Sequence, residues 1–113
     1  MPMYKVDLLS AAWIDLDSIA DYHLLEVGPD SARNITNKIL GSLKRLETFP
    51  LSCPLVPYKE LAELGYRMLI CGKYVCIYKI HGNFVYVHHI VAAATNYPAL
   101  FKIGDSDKST QSQ

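Results

Sequence analysis

The sequence predicts a small α+β domain in which a helical hairpin packs on one face of a mostly antiparallel sheet, in the order β-α-α-β-β-β. Two segments in the first half carry apolar residues at helical spacing, and three β-rich runs follow in the second half. With 113 residues, half of them hydrophobic, the chain has room for one core. Neither a helical hairpin nor a meander can bury its apolar face alone, so the two must pack together.

The first strand and the first helix follow each other closely. Tyr4, Val6 and Leu8 alternate with more exposed positions, which predicts a strand over residues 4–9. From Ala12 to Val27 the chain keeps helical spacing, with His23 as the single polar member of its apolar stripe. The acidic residues of this segment lie off most of the stripe and predict a solvated helix face: Asp15, Asp17 and Asp21.

The second helix is predicted from about Ser31 to Thr48, because apolar residues again recur at three- and four-residue spacing. Gly28 and Pro29 mark the short connection, so the two helices should pack antiparallel as a hairpin. Three prolines between Phe49 and Tyr58 then predict an irregular crossover.

Three strands are predicted after the crossover, over residues 66–71, 74–80 and 84–91, with tight turns between them. The first strand of the chain should pair inside the same sheet, beside one of these later strands. The apolar positions of all elements predict the following buried residues: Leu16, Ile19, Ile35, Ile39, Leu43, Leu46, Leu69, Ile77 and Val87.

The domain is expected to span residues 1–101, and residues 102–113 are mostly polar and predict a disordered tail. No apolar run reaches the roughly 18 residues that span a bilayer, and the N-terminus lacks signal-peptide features. The sequence therefore favours a cytoplasmic protein without a membrane partner.

Charge and cysteine content disfavour two classes of function. Eleven basic and eleven acidic residues give a formal net charge of zero, which argues against tight intrinsic binding of nucleic acid. The three cysteines have no metal-binding spacing, and the rings of His88 and His89 should point to opposite faces of a strand. We therefore expect reduced thiols, no metal and no cofactor.

The order and motifs of the chain resemble the RelE/ParE superfamily of bacterial type II toxins. The opening "YKVDLLSAAWIDLDSIADYH" resembles the family's first strand and its Ala-x-x-Asp-Leu helix start, here Ala12 to Leu16. "RLETFPLSCPLVP" is similar to the end of the second helix and the crossover. "GYRMLICGKYVCIYKIHGNFVYVHHI" is similar to the family's three later strands.

The resemblance implies a toxin that is neutralised by a cognate antitoxin, which contributes a helix and an extended segment. The ParE-like branch fits better and implies inhibition of DNA gyrase. The alternative is a RelE-like ribosome-dependent mRNA endonuclease. Such enzymes place a catalytic Arg directly after the Tyr of the strand that corresponds to residues 74–80 here. Here Val75 follows Tyr74, so no catalytic residue is assigned and a protein-binding toxin is favoured over an enzyme.

The same resemblance implies five candidate residues for the toxin surface: Arg67, Tyr78, His89, Ala94 and Tyr97. Tyr97 matches the family pattern, whereas His89 stands where Arg is common. Ala94 stands where Arg is most expected, and Ala lacks the charged N–H groups with which Arg binds its partners. This departure implies a toxin inactivated at position 94, either by natural loss or by deliberate substitution.

Overall fold

The computed structural model describes residues 3–101 and confirms the predicted fold class. The predicted polar tail lies outside the described residues. One short helix is added to the predicted order. The elements are β1 (Lys5–Leu8), α1 (Ser10–Glu26), α2 (Pro29–Lys44), α3 (Lys59–Glu63), β2 (Arg67–Cys71), β3 (Tyr74–His81) and β4 (Phe84–Ala92).

The four strands form one sheet in the order β1-β4-β3-β2. Strands β2, β3 and β4 form two antiparallel hairpins, and Gly72 and Gly82 take the positive φ of 60° that their tight turns require. Strand β1 runs parallel to β4, with Lys5 opposite Phe84 and Leu8 opposite Val87. The predicted pairing of the first strand with a later one is therefore correct.

A bulge interrupts the pairing of β3 with β4. Ile77 lies opposite His89 but Tyr78 lies opposite Val87, so His88 is one extra residue on β4. An extra residue breaks the alternation of side chains along a strand. The prediction that the two histidine rings point to opposite faces is therefore wrong: the rings of His88 and His89 both pack beside Phe101, with centroids 6.1 and 5.1 Å away.

The larger hydrophobic core lies between the helical hairpin and one face of the sheet, and we call it the helix-side core. Eight of the nine residues predicted to be buried are so; Ile35 is only half-buried. Ile77 is the one buried member of that set on the opposite face of the sheet. The helix-side core is formed mainly by Ala12, Leu16, Ile19, Ile39, Leu43, Leu46, Leu69, Cys76, Tyr78, Val85, Val87 and Ile90.

A smaller core covers part of the opposite face, and we call it the crossover-side core. It consists of Val56, Leu61, Val75, Ile77 and Tyr97. We use the word crossover for the whole connection between α2 and β2, which supplies Val56 and Leu61. Its first part, predicted as irregular between Phe49 and Tyr58, contains a 3₁₀ turn at Pro50–Ser52 and an isolated antiparallel bridge between Leu55 and Arg67. Helix α3 follows this part, where no element was predicted. The end predicted for the second helix is a further 3₁₀ turn, Arg45–Glu47.

Candidate functional site

Tyr78 lies in the helix-side core and is not part of the surface, contrary to the prediction. Its side chain has no exposed area, and its hydroxyl donates a hydrogen bond to the carbonyl oxygen of Pro50. Burial raises the pKa of this phenol well above its usual value. Tyr78 therefore fastens the start of the crossover to the sheet.

Arg67 also holds the crossover. It is half-buried at the start of β2, and its Nη1 donates to the carbonyl oxygen of Cys53 at 2.6 Å. A hydrogen bond from a charged donor is stronger than a neutral one, so this contact restricts the guanidinium. At least one hydrogen-bond donor of Arg67 is therefore used inside the molecule.

Tyr97 is buried in the crossover-side core, again contrary to a role at the surface itself. Its ring packs edge-on against Tyr58 with centroids 5.0 Å apart. Burial raises the pKa of its phenol, and the neighbouring Tyr58 adds to the shift. The side chain anchors the 3₁₀ turn that follows β4, Tyr97–Leu100, and so holds the preceding loop in place.

Ala94 is exposed in the turn directly after β4. The amide of Ala93 donates to the carbonyl oxygen of Lys73 at 2.8 Å, and the amide of Thr95 donates to that of Ala92 at 2.9 Å. These two bonds place the turn of residues 92–95 beside the β2–β3 hairpin. Among the five candidates, Ala94 is the one that is exposed.

His89 is half-buried and held by helix α1. Its Nδ1 lies 2.9 Å from Oδ2 of Asp15, and the same oxygen accepts the backbone N–H of Ile90 at 2.9 Å. The prediction of a solvated acidic face is correct for Asp17 and Asp21, which are exposed, but wrong for Asp15. The acidic spacing alone could not show that one of the three carboxylates turns toward β4.

The sequence prediction missed a polar cluster at the same end of the sheet as Ala94. Nδ1 of His23 lies 3.1 Å from the Ser31 hydroxyl, and its Nε2 lies 3.0 Å from the hydroxyl of Tyr74, which is paired with Ala92. Both ring nitrogens of His23 are therefore satisfied. One feature pointed to this cluster, because a polar residue within an apolar helical stripe needs hydrogen-bond partners.

The thiols of the helix-side core are free and buried. Burial, with the neighbouring Cys71 and Cys53, raises the pKa of Cys76 to about 12, so this thiol stays protonated at neutral pH. Within residues 3–101, no three His, Cys, Asp or Glu side chains lie close enough to share a metal ion. No helix of that part of the chain is long and apolar enough to cross a membrane.

Comparison with known proteins agrees with this architecture. The fold is shared with a chain of the "Chromosomal ParDE TA system from P. aeruginosa" at a TM-score of 0.69 and 21% identity, covering 80% of this chain and 96% of that one. A chain of the RelBE2 toxin–antitoxin complex from Mycobacterium tuberculosis gives a TM-score of 0.54 and 17% identity, covering 80% and 98%. The molecule thus has the RelE/ParE fold.

The sequence identifies the branch of this superfamily. Residues 6–97 match the family described as "ParE toxin of type II toxin-antitoxin system, parDE". The match spans most of the chain, and the chain belongs to this family of toxins. A search of curated proteins finds no significant match.

Proposed function

We propose that this toxin acts by binding DNA gyrase and not by cleaving mRNA at the ribosome. The observation that carries the proposal is the environment of Val75, which fills the position of the RelE-like catalytic Arg. Val75 is 5% exposed and packs in the crossover-side core with Tyr97. A cation at this position would be buried without a partner, at a large cost in solvation energy. The net charge of zero likewise offers little attraction for RNA.

We further propose that Ala94 leaves the toxin inactive. An Arg at this exposed turn would present five N–H donors beside the β2–β3 hairpin, whereas Ala presents none. Truncation of such a residue at a binding hot spot commonly costs about 2 kcal/mol or more, which is roughly thirtyfold in affinity. Ala93 occupies the same turn and is also exposed, so it provides a matched control position.

The test compares the chain as it stands with Ala94→Arg and Ala93→Arg. Each is expressed in bacteria without antitoxin, and each purified protein is added to a gyrase supercoiling assay and to a translation extract. We expect growth arrest and loss of supercoiling from Ala94→Arg alone. Translation arrest with mRNA cleavage and intact supercoiling would favour the nuclease instead. Equal toxicity of all three proteins would remove position 94 from the mechanism.

The antitoxin is proposed to bind the outer face of α1. Ile14 and Leu25 are exposed there, Leu25 to 81%, although a soluble helix normally hides such residues. The charged residues of Ser10–Glu26 are all acidic. This face therefore suits an antitoxin helix whose apolar stripe is flanked by Lys or Arg.

An extended segment of the antitoxin is proposed to add to the edge of β2. The first half of that edge is occupied, because the amide of Met68 donates to the carbonyl oxygen of Pro54 at 3.1 Å. Ile70 lies beyond this contact, and its side chain is exposed. Its backbone is available for the main-chain hydrogen bonds with which strand addition is achieved.

The antitoxin encoded beside the toxin gene should raise the melting temperature of this chain, because a ligand selective for the folded state stabilises it. Leu25→Glu should weaken complex formation at least tenfold, since it removes apolar contact and places a carboxylate that must lose its water against the apolar stripe of the antitoxin helix. Asn37→Glu on α2, an exposed helical position outside the proposed surfaces, is the control. An equal loss from both variants, measured by calorimetry, would refute the assignment of this surface.

A further inference from the structure

We propose that Asp15 is a positioning residue that takes the place of a missing strand at the open edge of β4 and thereby orients the turn that carries Ala94. The proposal rests on the proposed function for its biological meaning, but its structural part is independent of toxicity. Asp15 is the acidic residue of the Ala-x-x-Asp-Leu helix start, and no step of the proposed function uses it.

Strand β4 is longer than its parallel neighbour. The last paired position of β1 is Leu8, opposite Val87, and the amide of Leu9 adds one more bond to the carbonyl oxygen of Val87. Beyond this point β4 continues to Ala92 with no strand on that side within residues 3–101. An N–H group at such an edge needs another acceptor.

The carboxylate of Asp15 is that acceptor. Its Oδ2 lies 2.9 Å from the backbone nitrogen of Ile90 and 2.9 Å from Nδ1 of His89. The side chains of Asp15 and His89 are only 24% and 16% exposed, so water competes little for these bonds. A carboxylate oxygen that accepts two hydrogen bonds holds its donors more firmly than a neutral acceptor does.

On its other side, β4 pairs with β3 at the same position along the strand. Ile90 pairs with Cys76 of β3, and two residues further on Ala92 pairs with Tyr74. The chain then leaves the sheet, and the amide of Ala93 bonds to the carbonyl oxygen of Lys73. Asp15 on one side and β3 on the other therefore fix the direction in which the turn of residues 92–95 departs.

Hydrogen exchange of backbone amides, followed by NMR on the full chain, tests the structural part. Asp15→Ala should accelerate exchange at Ile90 roughly tenfold or more relative to the rest of β4. Asp15→Asn keeps an oxygen acceptor and should give a smaller effect. His89→Ala should leave Ile90 protected, because the Asp15 carboxylate remains. Asp17→Asn, an exposed charge change on the same helix, should have no effect.

The amides of residues 92–95 give the second readout. Their chemical shifts should move in Asp15→Ala and Asp15→Asn but not in Ile39→Val, a core change on α2 that destabilises the fold and leaves the Asp15 carboxylate in place. If Asp15→Ala does not fold, Asp15→Asn keeps the test decisive. Unchanged exchange at Ile90, or unmoved shifts at residues 92–95, would overturn the proposal.

The toxicity readout separates this proposal from the previous one. Added to the Ala94→Arg variant, Asp15→Asn should reduce growth arrest at a temperature where the protein is fully folded. Loss of growth arrest with Ile39→Val as well would show a general effect of stability and contradict positioning. If Ala94→Arg is itself harmless, the proposed function fails, while the exchange at Ile90 still decides the role of Asp15.

Discussion

The two faces of the sheet are covered in different ways. One face is covered by α1 and α2, whose 17 and 16 residues bury a continuous set of aliphatic side chains. The opposite face is covered by the crossover, with the five-residue helix α3, and by a 3₁₀ turn at the end of the domain. The first layer is regular secondary structure, whereas the second consists mainly of turns.

This contrast explains the role of three of the five residues that the resemblance to the toxin family had suggested. Tyr78 and Arg67 donate hydrogen bonds to carbonyl oxygens of the crossover, and Tyr97 fills the core beneath it. Turns lack the internal hydrogen-bond pattern that stabilises a long helix, so this layer depends on side chains to hold its backbone. Tyr78 and Arg67 therefore hold the start of the crossover from the helix side of the sheet, where Cys53 is also buried, whereas Tyr97 packs under the later part of the crossover on the opposite face.

A matched pair of substitutions tests whether the two cores differ in rigidity. Leu43 in the helix-side core is 2% exposed, and Leu61 in the crossover-side core is 1% exposed. We expect Leu43→Ala to lower the free energy of unfolding by about 2–5 kcal/mol, since two long helices cannot collapse into the cavity. Urea unfolding followed by circular dichroism measures the loss.

Leu61→Ala is the counterpart and should cost less, about 2 kcal/mol at the lower end of that range, because a five-residue helix flanked by turns can shift to fill the space. Equal losses for the two leucines would show that the crossover is as rigidly packed as the helical hairpin. A loss below about half a kilocalorie for Leu43→Ala would contradict the packing of the helix-side core.

Alkaline pH provides a milder test of the helix-side core through Cys76. Its pKa rises from 9.0 to about 12 in the folded protein, so above about pH 9 the unfolded chain loses a proton that the folded chain keeps. The contribution is fully present below pH 9 and is lost as the pH rises toward 12. By about pH 10.5 the loss should reach about 2 kcal/mol.

Cys76→Ala isolates this effect from that of the tyrosines, which also ionise at high pH. The variant should be less stable at neutral pH but should lose less stability between about pH 8 and pH 10.5 than the unmodified chain. Urea unfolding at both pH values gives, for each protein, the change in the free energy of unfolding with pH. Equal changes in the two proteins would show that the thiol ionises as readily in the folded state as in the unfolded state.

The sequence predicted the helices and strands well, because their buried faces carry apolar residues at a regular spacing. Ile39, Leu43 and Leu46 recur at helical spacing and lie where that spacing places them. The segment from Phe49 to Tyr58 was predicted as irregular because three prolines dominate its pattern. Helix α3, Lys59–Glu63, was not predicted because five residues are too few to show a helical period.

The candidate site was predicted less well, because it depends on contacts between distant parts of the chain. The bulge at His88 is a property of strand register and cannot be read from one strand. The bond between Asp15 and Ile90 joins residues that are far apart in sequence. Burial of Tyr97 follows from the crossover-side core, which itself was not predicted. The turn of Ala94 was located by resemblance, and its exposure became apparent only in the fold.

The parallel pairing of β1 with β4 has a consequence for synthesis of the protein. Residue 5 pairs with residue 84, so β1 is synthesised well before β4 and must wait for it before it can join the sheet. The helical hairpin can form earlier, because its contacts are local. The sheet beneath it stays incomplete until nearly the whole domain has been translated. A nascent chain that stalls before β4 therefore lacks both the strand with which β1 pairs and the turn that carries residue 94.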